Sequence, residues 1–92
     1  MPPENKSNFI VRFFGSSKCS DCAKVFVLLN KNLINYEYID ALDESEEIQN
    51  FCDLHNVERL PHLEFILNDN IIYTHIGFIS EKQLINICSK MM

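Results

Sequence analysis

Phe9-Ile10-Val11-Arg12-Phe13-Phe14-Gly15-Ser16-Ser17-Lys18-Cys19-Ser20-Asp21-Cys22 is the stretch on which the reading of this chain turns. Its first six residues are an apolar and aromatic run broken only by Arg12, the profile of a strand buried on both faces inside a covered sheet. Gly15, Ser16 and Ser17 end the run and make a loop, and a segment with helical periodicity follows. Two thiols three residues apart at a helix start can bridge with little backbone movement. The unpaired N–H groups and the positive end of the helix dipole favour a thiolate on the first. Such a pair is a redox site or half of a metal site.

Outward from this stretch the chain alternates strand and helix. Cys19 or Ser20 is the expected N-cap, and Ala23, Phe26, Val27, Asn30 and Leu33 or Ile34 repeat at helical intervals, giving a helix from Ala23 to about Leu33. Tyr36 to Asp40 alternates as a strand does. The acidic run Asp43-Glu44-Ser45-Glu46-Glu47 reads as a solvated helix start. Ile48, Phe51, Cys52 and Leu54 then form an inner face that stops near His55-Asn56. Leu63 to Leu67 is a strand just after Pro61, and Asn68-Asp69-Asn70 is turn chemistry leading into Ile71 to Ile76, with Gly77 ending the hairpin. Ser80 caps a last helix, with Gln83 three residues on as in a capping box and Leu84, Ile85, Ile87 and Cys88 facing inward. The expected architecture is α/β, a four-stranded mixed sheet flanked by three helices in the order βαβαββα and covered on both faces.

The 92 residues suit one domain spanning 1–92, with residues 1–8 expected to be flexible. A net charge of -5, with no basic cluster to displace counterions from phosphates, argues against a nucleic-acid partner. The longest apolar run, Val25 to Leu29, falls far short of the roughly 20 residues that span a bilayer, so no membrane association is expected. The first eight residues carry no apolar core or cleavage pattern, and the expected location is cytoplasmic. Cys52 and Cys88 lie inside apolar helical patterns, as buried free thiols do. In a reducing compartment a close pair such as Cys19 and Cys22 points to catalysis or metal.

As a redox pair, Cys19 is the exposed attacking thiolate and Cys22, one turn inward, resolves the mixed disulfide. Lys18 favours the anion and Asp21 opposes it; Lys18 and Arg59 are the basic residues expected near the site. Pro61, between a loop and a strand, is a candidate cis proline. The competing reading is a zinc or iron–sulfur module on Cys19 and Cys22 with one or two of His55, His62 and His75. Those histidines are 7 and 13 residues apart, unlike the tight second pair of structural zinc sites. His62 reads as a half-exposed strand histidine, near the Cys pair by virtue of following Pro61.

The motifs carry a resemblance. From roughly Phe9 to Met92 the chain resembles the thioredoxin superfamily, through the strand leading into Cys19-Ser20-Asp21-Cys22, Leu60-Pro61 before the third strand, and Ile76-Gly77-Phe78 before the last helix. The resemblance implies a cis Pro61 beside the Cys pair and a Leu60 backbone that pairs with substrate like an added strand. Lys18, Leu60, Pro61, Gly77 and Phe78 become the expected substrate-binding residues. It implies no bound cofactor and an external donor, glutathione or a thioredoxin-reductase-type flavoprotein. Expected partners are disulfide-containing proteins or glutathione mixed disulfides, met by a monomer.

The compact order resembles glutaredoxins, whereas Gly77-Phe78 with Ser80, Gln83 and Leu84 looks more like thioredoxins and the small hydrogen donors of ribonucleotide reductase, which would make that reductase a partner. Ser20-Asp21, Ser16, Arg59 and Gly77-Phe78 replace glutaredoxin residues that contact glutathione. Lys18 and Phe13 replace the Trp and buried Asp of thioredoxins. A third reading is a redox-inactive interaction module on the same fold.

Overall fold

A computed structural model of the chain describes residues 8–91. Strand β1 (Phe9–Gly15), helix α1 (Ser20–Lys31), strand β2 (Tyr36–Asp40), helix α2 (Glu46–Leu54), strands β3 (His62–Leu67) and β4 (Asn70–Ile76) and helix α3 (Glu81–Met91) follow in turn. The sheet order is β2-β1-β3-β4, with β1 parallel to β2 and antiparallel to β3, and β3 antiparallel to β4. This is the expected mixed sheet with three helices. The apolar run of β1 lies in its interior, where both faces meet side chains.

The two faces build separate cores. Val11, Phe13, Leu63 and Phe65 point to one side and pack with Cys22, Val25 and Leu29 of α1 and Leu84, Cys88 and Met91 of α3. On the other side Phe14, Ile39 and Cys52 pack with Ile48, Phe51 and Val57 around α2. Leu60 borders both clusters.

The inner face of α1 differs from the periodicity reading. Cys22, Val25 and Leu29 are buried, whereas Val27 is 63% exposed and Leu33, beyond the helix end, is 91% exposed. Val25 to Leu29 is apolar all around the helix, so its pattern selects no phase; the buried Cys22 does. Leu54 and Ile85, expected inward, are also exposed. Nor is the sheet covered to its edge. Ile71, Ile72, Tyr73 and Ile76 of β4 are exposed.

Local chemistry sets the turns. Asn68 and Asp69 have φ of 51 and 70°, a primed two-residue hairpin turn that Asn and Asp tolerate better than other side chains. Of the residues expected to be flexible, 1–7 lie outside the described residues. Asn8 is held: it donates to Asn68 Oδ1 at 3.1 Å and its carbonyl accepts the Asn68 N–H at 2.9 Å.

Candidate active site

The loop between β1 and α1 is pinned before it reaches the cysteines. Ser16 is buried, its Oγ accepts the Lys18 N–H at 3.0 Å, and its carbonyl accepts the Cys19 N–H at 3.2 Å. Gly15 leaves room for aromatic rings: a Cβ there would lie 2.8 Å from Phe13 and 3.1 Å from Tyr38. Cys19 is the N-cap of α1, in extended conformation, and its Sγ accepts the Cys22 N–H at 3.2 Å. One orphan donor of the helix start is thereby satisfied by sulfur, where Ser or Asp would usually serve. Cys19 is half-buried and Cys22 fully buried. Burial, then the hydrogen bond to Cys19, push the Cys22 thiol from 9.0 up to about 12; a main-chain hydrogen bond from Ser16 acts against the rise.

Other stretches named by the sequence pack on the same core or against α1. Leu60 and Cys19 both pack on the α1–α3 core, and Pro61 is fully buried behind a cis bond to Leu60. The Pro61 carbonyl accepts the Gly77 N–H at 2.8 Å, joining the turn after β4 to the start of β3. Gly77 has φ of 93°, a conformation strained for any other residue. Phe78 is 51% exposed, and Lys24 Nζ lies 5.6 Å from its ring centroid, so this turn leans on α1 just past the Cys pair. Lys24 also pairs with Asp21 at 3.8 Å. The basic residue against this rim is thus Lys24, absent from the sequence reading, which named only Lys18 and Arg59; Lys18 and Arg59 are both exposed. Helical spacing from Asp21 is the signal that would have found it.

No protein-family model matches the sequence, and no curated protein matches it. Solved structures do. A mutant thioredoxin of Halobacterium salinarum superposes with a TM-score of 0.80 at 16% identity, over 91% of this chain and 74% of that one. A Schistosoma mansoni thioredoxin pre-protein gives 0.76 at 18% identity, over 97% and 84%. Thioredoxin O2 of Arabidopsis thaliana gives 0.72 at 17% identity, over 89% and 73%. The chain has the thioredoxin fold.

Within this thioredoxin fold each histidine has a polar partner other than a sulfur. His62 is not half-exposed, as its place in a strand suggests, but 2% exposed. Its Nε2 lies 3.3 Å from Glu64 Oε2, and His55 Nδ1 lies 2.8 Å from the same oxygen. His75 Nε2 is 2.8 Å from the Phe78 carbonyl. Among the described residues no group of three or more His, Cys, Asp or Glu side chains is placed to hold a metal ion. No helix among them is long and apolar enough to cross a membrane.

Sequence reasoning also missed Tyr38. Its ring lies 5.2 Å from Phe13 and 4.8 Å from Phe26, between centroids. Its phenol is raised first by burial, then by the charges of Asp40, Cys22 and Cys19. The alternation of β2 placed Tyr36 and Tyr38 on one face but did not say that this face meets the cysteine helix.

Proposed function

We propose that this chain is a dithiol–disulfide oxidoreductase that reduces disulfides of proteins or small molecules through Cys19 and Cys22. The observation that carries the reading is the division between the two sulfurs: Cys19 at the helix start and half-buried, Cys22 enclosed and held protonated by burial. With its pKa pushed up to about 12, Cys22 offers almost no free thiolate near neutral pH, so first attack falls to Cys19.

Cys19 thiolate attacks one sulfur of the substrate disulfide. A Cys19–substrate bond forms as the substrate bond breaks, and the other substrate sulfur departs as a thiolate. Cys22 then gives its proton to that departing sulfur and attacks Cys19 Sγ. The Cys19–Cys22 bond forms and the second substrate sulfur leaves. Two electrons have passed to the substrate, and an external thiol donor, glutathione or a flavoprotein-coupled reductase, returns them. Two of the influences that hold the Cys22 thiol up, its hydrogen bond with Cys19 and the Cys19 charge, vanish once Cys19 enters the mixed disulfide. Cys22 therefore becomes more acidic at the step that uses it.

The resemblance supports pairing of the Leu60 backbone with an extended substrate segment, and the exposed Phe78 ring beside Lys24 supplies an apolar rim for a protein substrate. The test is reduction of insulin disulfides by a dithiol-primed sample. Wild type is expected to be active, Cys19→Ser inactive, and Cys22→Ser to accumulate a covalent adduct with substrate. Full activity in Cys19→Ser excludes the assignment.

A further inference from the structure

The loop that carries Leu60 and Pro61 begins at His55, the residue that closes α2, and ends at His62, the first residue of β3. Main-chain bonds fix its two ends. Asn56 N–H reaches the Asp53 carbonyl and Val57 N–H the Cys52 carbonyl, while the Pro61 carbonyl takes the Gly77 N–H. A single carboxylate joins those ends. Glu64 Oε2 lies 2.8 Å from His55 Nδ1 and 3.3 Å from His62 Nε2, and Arg12 donates to Glu64 Oε1 at 2.9 Å from the middle of β1.

Three features mark this cluster as built. Glu64 is 2% exposed in a strand whose neighbours Leu63, Phe65 and Ile66 are apolar, a place where an apolar side chain packs at lower desolvation cost. Three of the roughly four acceptor positions of its carboxylate are filled, each from a different element. His62 Nδ1 is buried with no partner, so the Glu64 contact is the ring's only polar tie among the described residues. The aromatic rings enclose the arrangement: Phe14 meets His62 edge-on at 5.1 Å, and Phe51 lies 4.4 Å from His55. Both histidines are engaged with Glu64 at the two ends of the loop, so the cluster acts through the loop it ties.

We propose that Glu64 is a positioning residue which, through His55 and His62, holds the Leu60–Pro61 segment in register for an incoming protein substrate at Cys19. The inference rests on the redox reading, and it separates two substrate classes. A protein disulfide must align its chain along the segment, whereas a small disulfide needs only the sulfur of Cys19.

The test compares the full-length wild type with Glu64→Gln and with His55→Asn. The second variant keeps a residue suited to a helix end and leaves Arg12–Glu64 and His62–Glu64 in place, so it folds even where the first does not. KM for insulin is expected to rise about tenfold in each folded variant. Turnover number and the rate with bis(2-hydroxyethyl) disulfide are expected to stay within about twofold of wild type. An unchanged KM, or an equal slowing with both disulfides, overturns the assignment. If the wild type reduces neither disulfide, the redox reading fails, and amide hydrogen exchange decides the clamp. Faster exchange at Val57 to Leu60 and His62, with α1 unchanged, upholds it, and equal exchange removes it.

Discussion

Cys22 and Cys88 both lose water on folding, and burial raises their thiols from 9.0 to about 12 and about 11. The unfolded chain ionises these groups near 9 while the folded chain keeps them protonated, so above that pH the native state holds more protons. Stability from this source is whole below the unfolded value and is lost as pH rises toward the folded ones, at up to ~1.4 kcal/mol per pH unit for each thiol. Cys52 and Tyr38, raised by the same cause, act in the same direction. The urea midpoint is expected to hold below about pH 9 and to fall from there to about pH 11, less steeply in Cys88→Ala. A midpoint flat across that range contradicts the burial of both thiols. Alkylation offers a second measure: in native protein at mildly alkaline pH, iodoacetamide is expected to label Cys19 well before the buried Cys22, Cys52 and Cys88, as read by mass spectrometry. The Cys pair was legible because spacing and a helix start sufficed. Glu64 was not, because a lone acid in a strand looks outward-facing, and its partners Arg12 and His55 lie 52 and 9 residues away.

Helix ends show why some elements were legible to the residue and others only in outline. The Ser80 and Gln83 capping box forms as its spacing foretells, with Gln83 N–H on Ser80 Oγ at 3.1 Å and Ser80 N–H on Gln83 Oε1 at 2.9 Å. Ser80→Ala is expected to lower stability by about 1 kcal/mol in urea unfolding. At the other end of a helix, α1 and α2 close with one motif. Ile34 N–H reaches the Leu29 carbonyl and Leu33 N–H the Asn30 carbonyl; Val57 and Asn56 repeat the pattern on Cys52 and Asp53. The pivot is left-handed in both, with φ of 55° at Leu33 and 56° at Asn56. Asn suits that conformation and leucine does not, which is why an apolar Leu33 misled the periodicity into extending the helix. Leu33→Gly relieves the backbone and forfeits almost no burial, so it is expected to raise stability by about 1 kcal/mol. A loss of stability on that change would mean that Leu33 buries apolar surface which the structure leaves in water.

Across the whole molecule the sheet separates two layers of unequal strength. Among the described residues the apolar cluster of α1 and α3 shares eleven buried residues, and the apolar cluster of α2 three, Phe14, Ile39 and Cys52. Each large side chain fully withdrawn from water contributes on the order of 1.5–3 kcal/mol, so the α2 layer is held by much the smaller sum. Its polar centre does not make up the difference, because lifting α2 rehydrates Glu64, His55 and Arg12 and returns part of the cost of burying them. The α2 layer is therefore expected to open on its own, below the free energy of global unfolding. Native-state hydrogen exchange checks this: amides of Gln49 to Cys52 are expected to exchange faster than those of Val25 to Leu29 and to show a weaker dependence on denaturant. Equal protection in the two helices would make the molecule one cooperative unit. The same gradient bears on the site, because the loop from His55 to Pro61 hangs from the weaker layer while Cys19 and Cys22 sit on the stronger one. In the proposed reaction the two sulfurs would thus sit on the more heavily packed layer, and the segment that aligns a substrate on the layer expected to open first.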